Sequence, residues 1–187
     1  MGRLDEGLAD LKRARDLDPL SLIINTNLGL TFYWARQYDL AIEQLERAIE
    51  LEPNFFRAHL HLGMAYERKL MYREAIAQLE TARRINENPF TLAGLGHAYA
   101  SFGKRAEAGK LLKRLLKLSQ SRYVSAVTIA VLHAGFENQV DQTLECLEKA
   151  YEERDGLLVW LKVWPVFDSI RSDARFVALL RRIGFAP

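Results

Sequence analysis

The side chains best suited to catalysis or metal binding are four histidines and one cysteine, and their spacing does not bring them together. His59 and His61 stand two residues apart on a predicted helix, so they point in different directions and cannot form the i, i+4 pair that binds zinc. No second histidine or cysteine stands at ligand spacing from His97 or His133. We therefore predict surface or half-buried histidines and no metal site.

The single cysteine, Cys146, follows Glu145, and a neighbouring carboxylate raises the pKa of a thiol. We interpret Cys146 as a packing or surface thiol and not as a nucleophile. One cysteine cannot form an intrachain disulfide, which fits a reducing compartment. The glycines of "GLGHAYASFG" lack the spacing of a dinucleotide-binding loop, and no predicted strand precedes them. We expect no enzymatic activity, no catalytic residue and no cofactor.

The composition is typical of a folded, helix-rich protein, with 49% hydrophobic and 27% charged residues among 187 and a net charge of +2. So small a net charge creates no global attraction to nucleic acid or to an anionic membrane. The N-terminus lacks the apolar core of a signal peptide. The longest uncharged run, residues 123–136, is shorter than the ~20 apolar residues of a membrane-spanning helix. We expect a cytoplasmic protein without a membrane partner.

The elements that carry these side chains repeat along the chain. Gly29, Gly63 and Gly96 each follow a leucine, and each precedes an aromatic residue by three positions. A polar break and a second apolar-periodic run come next, with matching residues Ala41, Ala75 and Ala108, and Leu45, Leu79 and Leu112. The glycines are about 34 and 33 residues apart, which is the period of a helix–turn–helix repeat.

These residues resemble the tetratricopeptide repeat (TPR) pattern W-x₂-L-G-x₂-Y…A-x₃-F…P. In the first copy Asn25 occupies the tryptophan slot, which is a departure from the pattern. Three copies in register make the resemblance specific. The matches are Leu28, Gly29, Phe32, Ala41, Leu45 and Pro53; Leu62, Gly63, Tyr66, Ala75, Leu79 and Ala82; and Leu95, Gly96, Tyr99, Ala108 and Leu112.

The resemblance implies an all-α fold, a TPR-like right-handed α-solenoid of antiparallel helix pairs. We assign residues 1–155 to the array and residues 156–187 to a C-terminal helical cap. The array divides into a partial repeat at 1–19, repeats at about 20–53, 54–87 and 88–121, and a degenerate repeat at 122–155. In the degenerate repeat, Val131 stands in the glycine slot.

The partial repeat corresponds to a second helix without its first, and this suggests a fragment of a longer protein. Leu4, Leu8 and Leu11 form one stripe on that helix. We expect this stripe to be exposed and to cause fraying or self-association.

In arrays of this family the first helices line a concave groove that holds a partner protein or peptide. The slots with which one subclass grips a carboxylate hold Thr26, Leu30, His61, Phe90 and Gly94 here, so we do not predict binding of a chaperone tail. We expect instead an apolar peptide or an amphipathic helix. The resemblance assigns to the groove Ile23, Thr26, Leu30, Tyr33, Trp34, Arg57, Leu60, Met64, Glu67, Arg68, Phe90 and His97, with Ala93 beside them.

Charge is segregated between two predicted second helices. Seven bases lie between Lys104 and Arg122, and seven acids lie between Glu137 and Asp155. One interpretation is mutual neutralisation across the outer face. The other is a patch for an acidic partner or nucleic acid, but no aromatic residue lies between the bases to stack a nucleotide. We prefer neutralisation and do not expect a nucleic-acid partner.

The aromatic stretch "VWLKVWPVFDSIRSDARF", residues 159–176, follows the last repeat and predicts a lid over its apolar end. We expect Trp160 and Phe176 to be buried against residues 127–147, with one tryptophan of the stretch left partly exposed. We expect Ser172 or Asp173 to cap the closing helix. This tail resembles bacterial TPR proteins fused to winged-helix or signalling domains. We therefore predict a protein-interaction module, a scaffold or sensor in a larger regulator; the alternative is a homodimerisation domain of a transcription regulator or signalling enzyme.

Overall fold

Backbone is described for residues 2–185 in the computed structural model, and side chains for residues 4–185. Met1, Ala186 and Pro187, at the ends of the predicted array and cap, lie outside the described residues. All the secondary structure in the described range is helical. The chain forms two compact units, Met1–Glu87 and Asn88–Pro187. The division into an array and a cap at residue 155 stays a prediction.

The first unit contains two helix pairs preceded by a single helix. Within each pair the helices pack against each other, α3 packs against α4, and α1 packs against α2. The helices are α1 (Gly2–Leu17), α2 (Leu22–Trp34), α3 (Tyr38–Leu51), α4 (Phe56–Arg68) and α5 (Tyr72–Ile85).

The second unit also contains two helix pairs, α6/α7 and α8/α9, followed by the closing segment. Helix α6 packs against α8, the second of two 3-10 segments packs against α8, and α10 packs against α9. The elements are α6 (Pro89–Ser101), α7 (Arg105–Ser119), α8 (Ala126–Ala134), α9 (Val140–Glu152), 3-10 segments Gly156–Trp160 and Pro165–Ile170, and α10 (Ala174–Arg182). No helix in the described range combines the length and the apolar character needed to cross a bilayer.

The sharp turn inside three of the four helix pairs, α2/α3, α4/α5 and α6/α7, uses one left-handed residue. Arg36, Leu70 and Gly103 occupy the same slot in three successive repeats, with φ of 60°, 61° and 79°. Only the third repeat has the glycine that this conformation favours. Two helix starts have the expected capping signals: Asn88 forms a capping box ahead of Pro89, and Asp173 accepts a hydrogen bond from the backbone of Arg175. The predicted cap at Asp173 is thus confirmed.

The repeat glycines let helices approach closely. A Cβ at Gly29 would lie 2.6 Å from Leu45 Cγ, and one at Gly63 would lie 2.6 Å from Leu79 Cγ. These contacts join the two helices of one pair, as the pattern predicts. A Cβ at Gly96 would instead lie 2.6 Å from Leu132 of α8.

The prediction that Leu112 packs as Leu45 and Leu79 do is therefore wrong. Leu112 is only half-buried, whereas Leu111 and Leu115 turn inwards from α7. The physical reason is that Leu132 of the next helix fills the space over Gly96, which Leu45 and Leu79 fill over the equivalent glycines.

The stripe on α1 is only partly open. Leu8 is 6% exposed, so its predicted exposure is wrong, because α2 packs over this face of α1. Leu4 and Leu11 are half-buried. The Lys12 ammonium lies 5.5 Å from the centre of the Phe32 ring and adds a contact between the two helices. Fraying and self-association through this stripe stay predictions.

The closing segment fully buries two of its aromatic side chains. Phe167 and Phe176 are fully buried with ring centres 6.3 Å apart, and Trp164 meets Phe167 edge-on at 5.9 Å. The expectation for Phe176 is confirmed. The expectation for Trp160 is wrong, because Trp160 is 42% exposed and the short 3-10 turn directs Leu158 and Leu161 inwards in its place.

Candidate functional site

A solvent-accessible stripe runs along α2. Ile23 is 51% exposed, and Leu30 and Trp34 are half-buried. Their spacing of i, i+7 and i+11 places them on one side of the helix. Asn27 lies on the same side and is half-buried. It was not among the predicted groove residues, although its spacing from Ile23 and Leu30 is a signal that sequence alone provides.

Helix α4 repeats this stripe at equivalent positions. Arg57 is exposed, and Met64 and Arg68 are half-buried at i+7 and i+11 from it. His61 occupies the position that Asn27 holds on α2. Because α2 and α4 are equivalent helices of consecutive repeats, equivalent positions lie on the same side of the first unit. We call these eight residues the α2/α4 face.

Four predicted groove residues of the first unit lie elsewhere. Thr26, Tyr33, Leu60 and Glu67 are between 1% and 7% exposed. They stand about a quarter turn away from the accessible stripe, on the side where α2 and α4 approach their neighbours. Their assignment to an accessible groove is wrong, since burial prevents direct contact with a partner in this conformation.

In the second unit the predicted groove residues separate in the same way. Phe90 is 42% exposed, whereas Ala93 is 1% exposed and His97 is 3% exposed. The backbone of His97 comes close to Gly135 at the end of α8. His97 is therefore buried where α6 packs against α8. Of these three residues, Phe90 alone stays accessible, so the assignment of His97 is also wrong.

His61 is the most unusual polar group on the α2/α4 face. Both ring nitrogens are shielded from solvent and have no hydrogen-bond partner among the described residues, although part of the side chain is accessible. Burial, and then the positive charge of Arg57, lower the pKa of His61 to about 3. The imidazole is therefore neutral at physiological pH. It holds an unused donor and an unused acceptor, which is unfavourable for a buried polar group.

The other buried polar groups form structural pairs. The Asn25 amide donates to the carbonyls of Pro19 and Ser21, at 2.9 and 2.8 Å, and accepts from Gln44. In the next repeat His59 takes the Asn25 position. Its Nε2 donates to the Pro53 carbonyl at 2.8 Å, and its Nδ1 lies 2.6 Å from the Gln78 side chain.

This arrangement explains why Asn25 replaces the tryptophan of the TPR pattern. The side chain ties the first helix of the repeat to the turn before it. His59 and His97 are both buried, so the prediction of surface or half-buried histidines holds only for His61 and His133.

The remaining candidates for chemistry stay isolated. In the described part of the chain, no three histidine, cysteine or acidic side chains come together as metal ligands would. Burial, followed by the charge of Glu145, raises the pKa of the Cys146 thiol to about 11. A thiol that stays protonated at neutral pH is a poor nucleophile.

The preferred interpretation, neutralisation between the two charged runs, is confirmed for one ion pair and wrong for two acids that pair elsewhere. Two acids of α9 pair with α10: Asp141 lies 2.8 Å from Arg175, and Glu148 lies 2.7 Å from Arg182. Between the two charged runs there is a bridge of 3.5 Å from Arg105 to Glu137, at the start of the basic helix.

Comparisons with known proteins agree on the architecture. Residues 37–69, which contain α3 and α4, match a family model described as TPR repeat. A comparison with curated protein sequences gives no match. The fold is similar to that of TTC0263, a thermophilic TPR protein in Thermus thermophilus, with 23% identity, a TM-score of 0.67, and coverage of 89% of this chain and 91% of that chain.

Two further solved structures are similar. MamA MSR-1 C2 has 26% identity and a TM-score of 0.55, over 64% of this chain and 70% of that chain. YrrB, described as a TPR protein with an unusual peptide-binding site, has 19% identity and a TM-score of 0.54, over 92% and 89%. The predicted fold class is confirmed: the chain is an all-helical, TPR-like array of helix pairs.

Proposed function

We propose that the α2/α4 face binds a segment of another protein, and that the chain serves as a non-enzymatic interaction module. The observation that carries this proposal is the accessible apolar stripe of Ile23, Leu30 and Trp34, which Met64 continues on the neighbouring helix. Tryptophan and methionine contribute much of the binding energy where they occur in protein interfaces.

The charged residues of the face suggest how the segment is oriented. Arg57 and Arg68 stand at opposite ends of the stripe on α4, about 16 Å apart along the helix. A segment with an apolar centre and an acidic residue at one or both ends fits this distribution. An amphipathic helix or an extended apolar peptide has that chemistry.

His61 supports the proposal because a partner can supply what the folded chain lacks. Its two ring nitrogens have no partner among the described residues. A polar group of a bound segment would satisfy one of them once the ring turns towards the surface. The solved structure of YrrB offers a precedent for peptide binding in this fold. At 19% identity, the similarity between the two chains concerns the fold alone.

A displayed library of ~16-residue peptides, long enough for a short helix, tests the proposal. We expect the enriched peptides to lose at least about tenfold in affinity with the double variant Trp34→Ala/Met64→Ala. The matched control is Trp160→Ala, which removes a 42% exposed tryptophan from the second unit and should leave binding unchanged. Equal binding by the double variant, or no enriched peptide at all, would exclude the α2/α4 face as the site.

Self-association is the competing function, and one observation favours it. Leu17, Leu20 and Ile23 are 89%, 72% and 51% exposed around the α1–α2 turn, and such clusters often mediate contacts between copies. Sedimentation velocity with Leu17→Ser/Leu20→Ser separates the two functions. A dimer that this variant dissociates would support self-association. The role in a larger bacterial regulator and the cytoplasmic location remain predictions.

A further inference from the structure

Helix α7 presents a basic face to solvent. Lys110, Lys113, Arg114 and Lys117 are all exposed and lie within about 100° of the helix circumference. The buried face, formed by Ala108, Leu111 and Leu115, is on the opposite side. The bases therefore stand on the part of α7 that no helix of its own unit covers.

Three of these bases have no counter-charge. Among the described side chains, residues 4–185, the ammonium groups of Lys110, Lys113 and Lys117 make no ion pair and no hydrogen bond. The bases at the start of the helix differ, since Arg105 pairs with Glu137 and Lys104 lies over the rings of Tyr99 and Phe102. Two acids of α9, Asp141 and Glu148, pair with α10 and not with these lysines.

We propose that this face of α7 is a second docking surface, which binds an acidic helical segment of another protein. The three lysines follow the spacing i, i+3 and i+7, so a helix with carboxylates at the same spacing can pair with all three in parallel register. This surface is independent of the α2/α4 face and lies in the other unit.

A contact of this kind exists within the chain, between α9 and α10. Arg175 and Arg182 of α10 are seven residues apart, and they pair with Asp141 and Glu148 of α9, which have the same separation. Two helices of opposite charge thus pair their charged side chains in register. On α7, Leu116 is 42% exposed beside the lysines and can contact an apolar residue of the docking helix.

A protein partner fits this surface better than nucleic acid does. Single-stranded nucleic acid is bound by stacking bases on aromatic side chains between the basic ones. The span from Lys110 to Lys117 contains only leucine, lysine and arginine. An acidic helix needs no stacking platform, and it uses the regular spacing of the lysines that a flexible phosphate backbone would not require.

The test is a titration of the isotope-labelled chain with a designed helix, followed through backbone amide signals. The probe is an alanine-rich peptide of ~15 residues with glutamates at i, i+3 and i+7 and a leucine beside the last glutamate. At about 20 mM salt we expect shifts confined to α7 around residues 110–117, and at least tenfold weaker binding at about 300 mM salt.

Three controls make the titration decisive. Lys110→Glu/Lys113→Glu/Lys117→Glu should weaken binding at least about tenfold. The matched variant Arg73→Glu/Arg84→Glu/Arg181→Glu changes the net charge equally at exposed sites elsewhere and should bind as the parent does. Equal affinity for a peptide with scrambled glutamates, tighter binding of a single-stranded oligonucleotide to the same lysines, or self-association through them would each overturn the proposal.

Discussion

Gly135 and His97 bring two helices together through their backbones. A Cβ at residue 135 would lie 2.7 Å from the His97 carbonyl oxygen and 2.9 Å from its Cα. Side chains cannot reposition to relieve such a contact, because both atoms belong to the main chain of α6. The end of α8 can therefore lie this close to α6 only because residue 135 has no side chain.

Gly135→Ala should destabilise the protein by about 1–3 kcal/mol, since α8 must move away from α6 to make room. Urea denaturation followed by circular dichroism gives the change in unfolding free energy. Gly109→Ala is the matched control, because a Cβ there meets nothing within 4 Å inside helix α7. It should be neutral or stabilising by up to about 1 kcal/mol. An equal response of both variants would refute the close contact.

The polar pair of Asn25 and Gln44 should respond to substitution as a unit. Asn25→Leu alone leaves the buried Gln44 without its partner and should cost about 1–3 kcal/mol of unfolding free energy. The double variant Asn25→Leu/Gln44→Leu should recover most of that loss, because Leu92 and Leu111 hold these positions in the third repeat and are both buried. A double-mutant cycle by chemical denaturation measures the coupling, and additive effects would contradict the pairing.

Stability should fall in mild acid because of His61. Its pKa is about 3 in the folded chain, below the ordinary value of 6.5, so the unfolded chain binds the extra proton between these values. The contribution is fully present above pH 6.5 and is lost as the pH falls towards 3. Lowering the pH from about 7 to 5 should cost on the order of 2 kcal/mol through this group.

The check is His61→Leu, which should flatten the change in unfolding free energy between these two pH values. His133→Leu is a control for the loss of a histidine whose Nδ1 has a partner, since it lies 2.5 Å from the Gln139 side chain. If His61→Leu keeps the full slope of the parent, other groups are responsible for it.

Replacing the turn residue Leu70 by glycine should stabilise the folded protein. Leu70 has a φ of 61° and is 70% exposed, so its side chain gains little from packing while the left-handed backbone is strained. Leu70→Gly should raise the unfolding free energy by about 0.5–1 kcal/mol, and Gly103→Leu at the equivalent turn should lower it by a similar amount. Thermal denaturation of both variants tests the pair, and effects of the same sign would show that φ is not the cause.

Much of the fold is predictable from the period of the leucine–glycine pairs, because each pair marks a first helix and each polar break marks a turn. The third repeat is where this approach fails. Its spacing is one residue shorter, and Gly96 meets Leu132 of α8 and not a leucine of its own partner helix. Which leucine is buried depends on that neighbour, so the sequence of α7 alone favours Leu112 wrongly.

The candidate site shows the same limit. The family resemblance assigns five residues of α2 to the groove. Ile23, Leu30 and Trp34 lie on the accessible side of the helix, whereas Thr26 and Tyr33 do not. Those two are buried because of how closely α2 lies to its neighbours, which no periodicity encodes. His61 likewise gives no sequence signal that its ring nitrogens lack partners, since that depends on everything packed around them.

The pairing of Asn25 with Gln44 and of His59 with Gln78 has a consequence for descent. If a mutation changes one member of a pair alone, the other member is left as a buried amide or imidazole without a hydrogen-bond partner. Selection removes such variants when stability is marginal. Changes at the two slots should therefore be inherited together, one soon after the other. A repeat can then be duplicated or exchanged between relatives as a whole helix pair. A crossover between its two helices would place a buried polar side chain opposite a leucine from another repeat. Recombination within this array should accordingly favour breakpoints in the turns between repeats.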